Sequence, residues 1–293
     1  MKNMNNSKKL EKSRGVVVFA FNTEVDYVGI ADQTSRLVRH NLELPITLIT
    51  DHDANPVFDY DNIIRIDPLG DNYRTGESTI WRNFGRYYAY ELSPYDETIL
   101  LDVDYLVLDD NLLKLFETEW DYKLMRHNTD ERGDCSETMG YVSLPFVWAT
   151  VLLFRKRPRT QLLFDMVGRI QRNYNYYRLL YNIGESNFRN DYAFSIADII
   201  LSGYSLNEHQ GIPWTMFTIE DAIKATHINN EYFINNRTGK CKFLNVLQGR
   251  THTQSDNWYE EMKKYCDPKV YPESHFNGWA FGGQNKIDVE LML

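Results

Sequence analysis

The strongest constraint on the fold is a repeated alternation between short apolar runs and segments with helical spacing. Residues GVVVFAF (15–21) form a continuous β-branched and aromatic run, as expected of a strand covered on both faces. Residues 24–39 place apolar side chains at helical spacing, and PITLIT (45–50) is a second buried run. A strand, a helix and a strand in this order predict the α/β class, with a mostly parallel sheet flanked by helices.

The same alternation continues along the chain to about residue 205. We expect further strands at 62–66, 97–101 and 148–154, and helices at 78–91, 158–180 and 190–201. Beyond this point the pattern is looser, with a hairpin predicted around NNRTGK (235–240). The predicted organisation is a disordered N-terminus at 1–14, a core at 15–205 and a C-terminal extension at 206–293.

Composition excludes several classes of protein. A chain of 293 residues that is 43% hydrophobic supplies a core, while its net charge of −9 argues against a protein that coats nucleic acid over its whole surface. Three cysteines without C-x-x-C spacing indicate neither a disulfide framework nor a zinc site, as is typical of a reducing compartment. The apolar run 16–21 is too short for a membrane span. We therefore expect a cytoplasmic protein without a membrane partner.

The stretch ETILLDVDYLVLDDNL (97–112) contains two aspartates in an otherwise apolar run. In an extended segment Asp102 and Asp104 project to one face and Val103 to the other. Two carboxylates about 6 Å apart repel by about 3 kcal/mol at an effective dielectric of about 20. A divalent cation between them reverses this repulsion, and oxygen ligands favour Mg²⁺ or Mn²⁺. The alternative is a surface turn in which Asp102 caps the segment that follows.

The order of these motifs resembles a known family. A strand, FNTEVDY, a helix, PITLITD, a basic helix and TILLDVDYLVLDDNLLKLF are similar to the nucleotide-sugar-dependent glycosyltransferases of the GT-A fold, most closely family 8, the glycogenin and galactosyltransferase-like group. The resemblance covers residues 15–205, which it makes the nucleotide-sugar-binding and catalytic core, with 206–293 completing the active site and acceptor region. It implies a metal-dependent, retaining glycosyltransferase that uses a UDP-sugar.

The resemblance also implies roles for individual residues. Ala20, Asn22 and Tyr27 are expected to line the nucleotide pocket, and Asp51 is either a further nucleotide contact or a turn residue. Asp102 and Asp104 are expected to hold Mn²⁺ or Mg²⁺ at the diphosphate, and Val103 between them is expected to line the donor site. These assignments place the donor at the carboxyl ends of the strands, where ligands bind in open α/β sheets.

Charged residues on two predicted helices complete the implied site. Arg82 or Arg86 is expected to approach the phosphates or the donor sugar, unless both form a solvated helix face. Asp191, in RNDYAFSIA, matches the acidic residue that the family places near the transferred sugar, although it could instead cap the helix that begins there. A metal and arginines suit this chemistry independently, because both stabilise a departing diphosphate.

The chain departs from the family in two places. WATV (148–151) stands where the family has Asn-Ala-Gly, and the late His-x-x-Gly-x-x-Lys segment is not present. We nominate His252 as the third metal ligand, with His275 as its rival. Without the family's lysine, Arg250 or Lys242 is the candidate for the diphosphate, and the sequence leaves that choice open.

The segment 155–190 runs against the acidity of the whole chain. Eight arginines and lysines stand there against two acidic residues, interleaved with Tyr174, Tyr176, Tyr177 and Tyr181. Basic and aromatic residues together suit a nucleic acid, so that a hydroxymethylated DNA base, as modified by phage enzymes, is a possible acceptor. The alternative is a solvated helix whose tyrosines pack inward.

Two other classes of function remain open from the sequence. A D-x-D after a strand also serves phosphoryl transfer through an aspartyl phosphate, but that chemistry expects the motif on the first strand of its domain. A non-catalytic nucleic-acid or sugar-binding module could keep the same fold.

Overall fold

The computed structural model describes residues 13–73, 80–107, 109–130, 133–134, 139, 144–205, 210–220, 222–228, 231–236, 241–245, 250–253, 279–282 and 288–291. After residue 216 the description covers the backbone alone.

The elements up to residue 117 are, in chain order, β1 (Arg14–Phe19), α1 (Tyr27–Leu42), β2 (Ile46–Thr50), β3 (Asn62–Arg65), β4 (Asn72–Tyr73), β5 (Ile80–Trp81), a 3₁₀ helix (Phe84–Tyr88), α2 (Ala89–Leu92), β6 (Glu97–Leu101), β7 (Tyr105–Leu106), α3 (Asn111–Lys114) and a second 3₁₀ helix (Leu115–Glu117). The later elements are β8 (Tyr122–Met125), β9 (His127–Asp130), β10 (Gly133–Asp134), β11 (Trp148–Arg155), α4 (Pro158–Arg172), α5 (Tyr174–Leu180), α6 (Asn190–Leu201), β12 (Thr215–Glu220), β13 (Ala222–Ile228), β14 (Glu231–Asn236), β15 (Cys241–Asn245), β16 (Arg250–Thr253), β17 (Trp279–Gly282) and β18 (Asp288–Leu291).

A six-stranded sheet in the order β3-β2-β1-β6-β11-β8 forms the centre of the molecule. Strands β3, β2, β1 and β6 run parallel to one another, whereas β11 runs antiparallel to both of its neighbours. This arrangement confirms the predicted α/β class with a mostly parallel sheet.

The sheet separates two apolar layers, which explains the continuous apolar runs in the sequence. Val16 and Val18 of β1 pack into the layer beneath α1, and Val17 packs into the opposite layer with α4 and α6. All three valines are at most 2% exposed. Because both faces of the strand are covered, period-2 alternation of polar residues is absent from it.

The predicted helix over 78–91 is wrong. Its described residues, 80–91, form β5, a loop, a 3₁₀ helix and most of the short α2. Tertiary bonds override its helical pattern, because an Arg82 guanidinium N–H donates to the Asn22 carbonyl and the Asn83 carbonyl accepts from the Asn190 amide. Arg82 and Arg86 therefore do not share the face of one helix.

The predicted single helix over 158–180 is divided into α4 and α5 at Asn173. The Asn173 side-chain amide donates to the Arg169 carbonyl at 2.9 Å, offering the backbone a local partner that competes with helix continuation. The helix predicted over 190–201 is confirmed as α6.

The strands beyond residue 205 join two further five-stranded sheets. In the first, β10-β9-β12-β17-β7, they combine with three earlier strands, whereas the second, β16-β15-β14-β13-β18, consists of late strands alone. Strands β14 and β15 pair antiparallel, with Asn235 opposite Cys241, which confirms the predicted hairpin. Strand β17 pairs with β7, so that this part of the chain reaches the segment that follows Asp104. The division at residues 14 and 205 stays a prediction, and residues 1–12 lie outside the described part of the chain.

Candidate functional site

A cavity of about 200 Å³ opens at the carboxyl ends of β1 and β6. Its walls come from the end of β1, the start of α1, the segment 81–86, the D-x-D loop, the start of β11 and the segment 185–191. The residues most relevant to chemistry are Phe19, Phe21, Tyr27, Trp81, Arg82, Arg86, Asp102, Val103, Asp104, Ala149, Glu185, Phe188, Arg189, Asn190 and Asp191. The position agrees with the general location of ligands in open α/β sheets.

Asp102 and Asp104 line this cavity from a tight turn rather than from the extended segment that we predicted. The Tyr105 backbone N–H donates to the Asp102 carbonyl at 3.2 Å, closing the turn. Val103 is 9% exposed, and its carbonyl accepts a hydrogen bond from the Thr34 hydroxyl of α1 at 2.8 Å. The turn thus anchors its central residue to α1 and brings both carboxylates to the cavity.

Arg86 supplies the positive charge next to Asp102. One guanidinium nitrogen forms an ion pair with the Asp102 carboxylate, and the other donates to the Ala149 carbonyl at 2.6 Å. The Arg86 side chain is 6% exposed, whereas that of Asp102 keeps 37% of its surface open towards the cavity. Its Nε has no partner among the described residues. The pair is therefore only partly enclosed by protein.

A bulge at the start of β11 connects Arg86 to Asp191. The pairing of β11 with β8 shifts between Trp148 and Leu152, which frees backbone groups of the residues between them. The Ala149 carbonyl accepts from Arg86, while its N–H donates to the Asp191 carboxylate at 2.9 Å. One residue of the reversed strand therefore holds two charged side chains of the cavity wall in fixed positions.

Asp191 does not cap α6. The N-cap of that helix is Arg189, which makes no side-chain capping bond. The second Asp191 carboxylate oxygen instead accepts from the Arg189 guanidinium at 2.7 Å. A side chain held by two donors at the cavity wall is suited to a role at a ligand, although that role stays a prediction.

The pKa values of two carboxyl groups in the cavity are raised. Burial raises the pKa of Asp102, Arg86 opposes the rise, and the charge of Asp191 adds to it. Burial and the charge of Asp102 raise the pKa of Asp104 to about 8. Closely spaced carboxylates that resist ionisation are typical of a site completed by a positive ligand.

The residues that the family resemblance assigns to the nucleotide-sugar site lie in two different settings. Tyr27 and Arg82 line the cavity, and Arg82 also donates to Asp71 at 3.0 Å. Asn22 lies beside the cavity, where its side-chain oxygen accepts from the Val28 N–H at the start of α1 and its carbonyl accepts from Arg82. It thus positions two cavity elements, and its contact with a nucleotide stays a prediction.

Ala20 and Asp51 follow β1 and β2 and are not among the residues that line this cavity. Ala20 is 1% exposed, and its N–H donates to the Ile49 carbonyl at 2.9 Å. The Asp51 carbonyl accepts from Arg65 at 2.9 Å, which fits the turn that the sequence offered as one alternative. Their nucleotide contacts stay predictions.

The late candidates cannot be joined to this geometry. The backbones of Lys242, Arg250 and His252 lie in β15 and β16, with His252 opposite Phe243, but their side chains lie outside the described part. His275 lies outside the described residues altogether. The third metal ligand therefore stays a prediction.

The described residues fit a divalent cation in part. No group of three His, Cys, Asp or Glu side chains that could hold a metal occurs among them. Asp102 and Asp104 nevertheless offer carboxylate oxygens on one cavity, and no neighbouring side chain in the described ranges hydrogen-bonds to Asp104. Such a pair suits Mg²⁺ or Mn²⁺ when phosphate and water supply the remaining ligands.

Sequence reasoning missed an amide network in the cavity wall. The Asn72 side chain donates to the Asn83 side-chain oxygen at 3.0 Å and to the Phe188 carbonyl at 2.7 Å, while the Asn190 amide donates to the Asn83 carbonyl at 3.1 Å. These bonds join β4, the segment before the 3₁₀ helix and the start of α6. Asparagine next to a loop is too common a signal to have identified them.

The basic segment 155–190 is neutralised in part by structural contacts. Arg155 pairs with Glu97 and Arg157 with Glu119, and Tyr174, Tyr177 and Tyr181 are at most 8% exposed. The geometry therefore agrees with tyrosines that pack inward, the alternative stated above. No helix in the described part of the chain is long and apolar enough to cross a bilayer.

Comparisons with known proteins give structural neighbours alone. No protein-family model and no curated protein matches the chain. Among solved structures, the glycosyltransferase GlyE of Streptococcus pneumoniae TIGR4 is 18% identical, with a TM-score of 0.35 over 58% of this chain and 44% of GlyE. Galactosyltransferase LgtC, in complex with donor and acceptor sugar analogs, is 17% identical, with a TM-score of 0.43 over 73% of this chain and 76% of LgtC. The chain thus matches less than half the length of GlyE.

Proposed function

We propose that this chain is a metal-dependent glycosyltransferase of the GT-A type, which moves a sugar from a UDP-sugar to a hydroxyl acceptor. The observation that carries the proposal is that Asp102, Asp104, Arg86 and Asp191 share one cavity at the carboxyl ends of parallel strands. The site thus combines oxygen ligands for a cation, a guanidinium for phosphate and a separate carboxylate.

In this reaction the bond between the anomeric carbon and the diphosphate oxygen breaks, and the acceptor hydroxyl oxygen forms the new bond to that carbon. The departing diphosphate gains negative charge and takes up the hydroxyl proton. Asp102 and Asp104 are the residues that would hold Mn²⁺ or Mg²⁺, which when bound neutralises part of that charge. Arg86 and Arg82 lie along the same wall and offer guanidinium groups that bind phosphate oxygens. Because Arg86 is fixed by the Ala149 carbonyl, little reorganisation is needed when charge develops.

Asp191 is the candidate for stabilising the sugar. Its carboxylate is oriented by the Ala149 N–H and by Arg189, and it lies close enough to Asp102 to affect that residue's pKa. A carboxylate near the anomeric carbon stabilises the positive charge that develops there as the leaving group departs. We propose a retaining outcome on the family resemblance, which does not require a dedicated base for the acceptor.

The acceptor is proposed only as a hydroxyl group. A modified DNA base was suggested by tyrosines able to stack, but three of the four lie in the core. Phosphoryl transfer through Asp102 is disfavoured for two reasons. Three strands of the sheet precede the motif, whereas that chemistry expects it on the first strand, and the Asp102 carboxylate that would attack the phosphate is paired with Arg86. A phospho-aspartate trapped at Asp102 would reverse this choice.

The test is isothermal titration of UDP into the full chain, with and without Mn²⁺, with GDP and ADP as comparison ligands. We expect Mn²⁺-dependent binding of UDP that is lost in Asp104→Asn. Asp110→Asn is the matched control, because Asp110 is 63% exposed and pairs with Lys114 on the surface. Binding of UDP that is equally strong without metal and in both variants would contradict the proposal.

A further inference from the structure

Helix α5 presents an apolar face to solvent. Tyr176, Leu179 and Leu180 are 64%, 69% and 58% exposed. On the other side of the same helix, Tyr174 and Tyr177 pack into the core layer that also holds α4 and α6. The helix is thus anchored by its tyrosines and leaves two leucines and a tyrosine in water, which is costly unless another surface covers them.

The surroundings of this face are basic. Residues 166–184 contain Arg169, Arg172 and Arg178 and neither Asp nor Glu, although Asp165 and Glu185 adjoin the two ends of this segment. The Arg172 guanidinium also lies over the Tyr87 ring, 5.9 Å from its centroid. Arg169 and Arg172 are exposed, and Arg178 bonds locally to the Asn175 side chain at 2.9 Å rather than to a carboxylate. We call residues 166–184 with these side chains the α5 patch. It combines apolar residues with three arginines, which outnumber the two acidic residues at its ends by one.

The α5 patch is joined directly to the rim of the cavity. The Tyr174 hydroxyl donates to the Glu185 carbonyl at 3.2 Å, and its ring packs edge-on against Phe188 with centroids 5.5 Å apart. Glu185 and Phe188 both line the cavity. The inward side of α5 therefore contacts the cavity wall, while its exposed face lies on the other side of the helix.

We propose that the α5 patch docks the protein onto an anionic lipid surface. Leucines inserted at the headgroup level, a tyrosine at the interface and arginines reaching lipid phosphates match the chemistry of a membrane surface. Nucleic acid is disfavoured, because leucines do not stack on bases and Tyr174, Tyr177 and Tyr181 are buried.

A protein partner fits this face less well than a lipid surface does. A stable protein interface buries about 800 Å² on each side, whereas a helix of seven residues is only about 10 Å long. The sequence predicted no membrane partner because it contains no membrane-spanning segment, and docking onto the surface of a bilayer does not need such a segment. If the proposed glycosyl transfer is correct, on which this consequence rests, docking brings the protein to a surface that carries lipid-linked acceptors.

The test is flotation of the full chain with vesicles of phosphatidylcholine alone or of phosphatidylcholine with phosphatidylglycerol. We expect binding to the anionic vesicles, weakened by raised salt because the arginine contribution is screened. The double variant Leu179→Gln with Leu180→Gln is expected to lower the partition coefficient at least about tenfold, because the inserted apolar surface is lost. Val57→Gln is the control, since Val57 is 82% exposed in the loop after β2.

Absence of binding to anionic vesicles, or binding that the double variant leaves unchanged, would overturn the proposal. Two further measurements identify the other occupants. Salt-sensitive binding of duplex DNA that is lost in Arg172→Gln with Arg178→Gln, or a dimer in sedimentation that the double leucine variant dissociates, would assign the patch elsewhere and also overturn it. Vesicle binding is measured without nucleotide, and UDP titration without lipid, so that failure of either proposal is distinguishable from failure of the other.

Discussion

Strands β6 and β11 lie side by side in opposite directions, and a buried arginine pairs with a carboxylate at each end of this ladder. At the amino end of β6, Glu97 lies opposite Arg155 in the register and bonds to it at 2.7 Å. At the carboxyl end, Asp102 pairs with Arg86, which is tied to Ala149 near the start of β11. The two ends of the ladder therefore carry the same kind of pair, although Arg86 belongs to the 3₁₀ helix and Asp102 to the turn after β6.

The amino end is completely bonded. The Arg155 guanidinium donates to Glu97, to the Thr118, Trp120 and Phe116 carbonyls, and it stacks on the Trp120 ring at 4.1 Å. Burial alone would raise the pKa of Glu97, but hydrogen bonds from Arg14 and Arg155 lower it below its usual value. This pair holds strands and loops together and leaves no capacity for a ligand.

The carboxyl end is incomplete by comparison. Arg86 has an unpartnered Nε among the described residues, Asp102 is partly exposed, and the pKa values of Asp102 and Asp104 are raised rather than lowered. The difference teaches that burial of an arginine–carboxylate pair does not by itself identify a site. A site is indicated where such a pair leaves charged atoms without partners and faces a cavity.

The largest effect is expected at the amino end. Arg155→Met leaves Glu97 buried with Arg14 as its remaining partner, and we expect the free energy of unfolding to fall by about 3–5 kcal/mol. Urea denaturation measures this. In the control Arg157→Met, which removes half-exposed pairs, the loss should stay below about 1 kcal/mol. A similar loss in both variants would show that the Arg155 pair is not a structural anchor.

At the carboxyl end, Asp104→Asn should affect ligand binding far more than stability. We expect the affinity for UDP with Mn²⁺ to fall at least about 100-fold. Mutation of residues that only hydrogen-bond to a metal ligand already lowers metal affinity by up to about 100-fold, and loss of a ligand itself should cost no less. The free energy of unfolding should change by less than about 1 kcal/mol, since Asp104 has no partner side chain to lose among the described residues. Titration and urea denaturation on the same preparation test both parts.

Arg86→Gln compares the two ends directly. We expect a loss of about 1–3 kcal/mol in unfolding free energy, less than for Arg155→Met, because cavity water can solvate Asp102 once Arg86 is gone. The variant should also bind Mn²⁺ alone more tightly, since the guanidinium no longer competes for the Asp102 carboxylate, while UDP binding weakens. Mn²⁺ titration without nucleotide decides the point, and weaker Mn²⁺ binding would contradict the competition.

The smallest expected effect is on the pH dependence of stability. The folded pKa of Asp104 is about 8, whereas an unfolded aspartate titrates near about 3.9. The folded state thus binds more protons between these values, and this residue's contribution to stability is lost as the pH rises through that window. In chelator, the melting temperature of wild type should therefore fall relative to that of Asp104→Asn as the pH rises from 5 to 8. Parallel curves for the two proteins would contradict the raised pKa.

The local pattern of the chain was sufficient for much of the fold. The strand at Glu97–Leu101 and the helix at Asn190–Leu201 have the predicted bounds, because a run buried on both faces and a 3.6-residue period are properties of neighbouring residues. The break at Asn173 and the irregular segment 78–91 were missed, because hydrogen bonds to Asn22 and Asn190 from distant parts of the chain decide the latter.

For the candidate site, the sequence by itself identified which charged residues are unusual, Asp102 and Asp104, since carboxylates in an apolar run are costly and require an explanation. Only the tertiary structure decided their surroundings. The turn at Val103 depends on the Thr34 hydroxyl, and the link between Arg86 and Asp191 depends on the freed backbone of Ala149 in a reversed strand. Such contacts join residues more than 40 positions apart, and no local pattern encodes which of many polar groups will meet across a sheet.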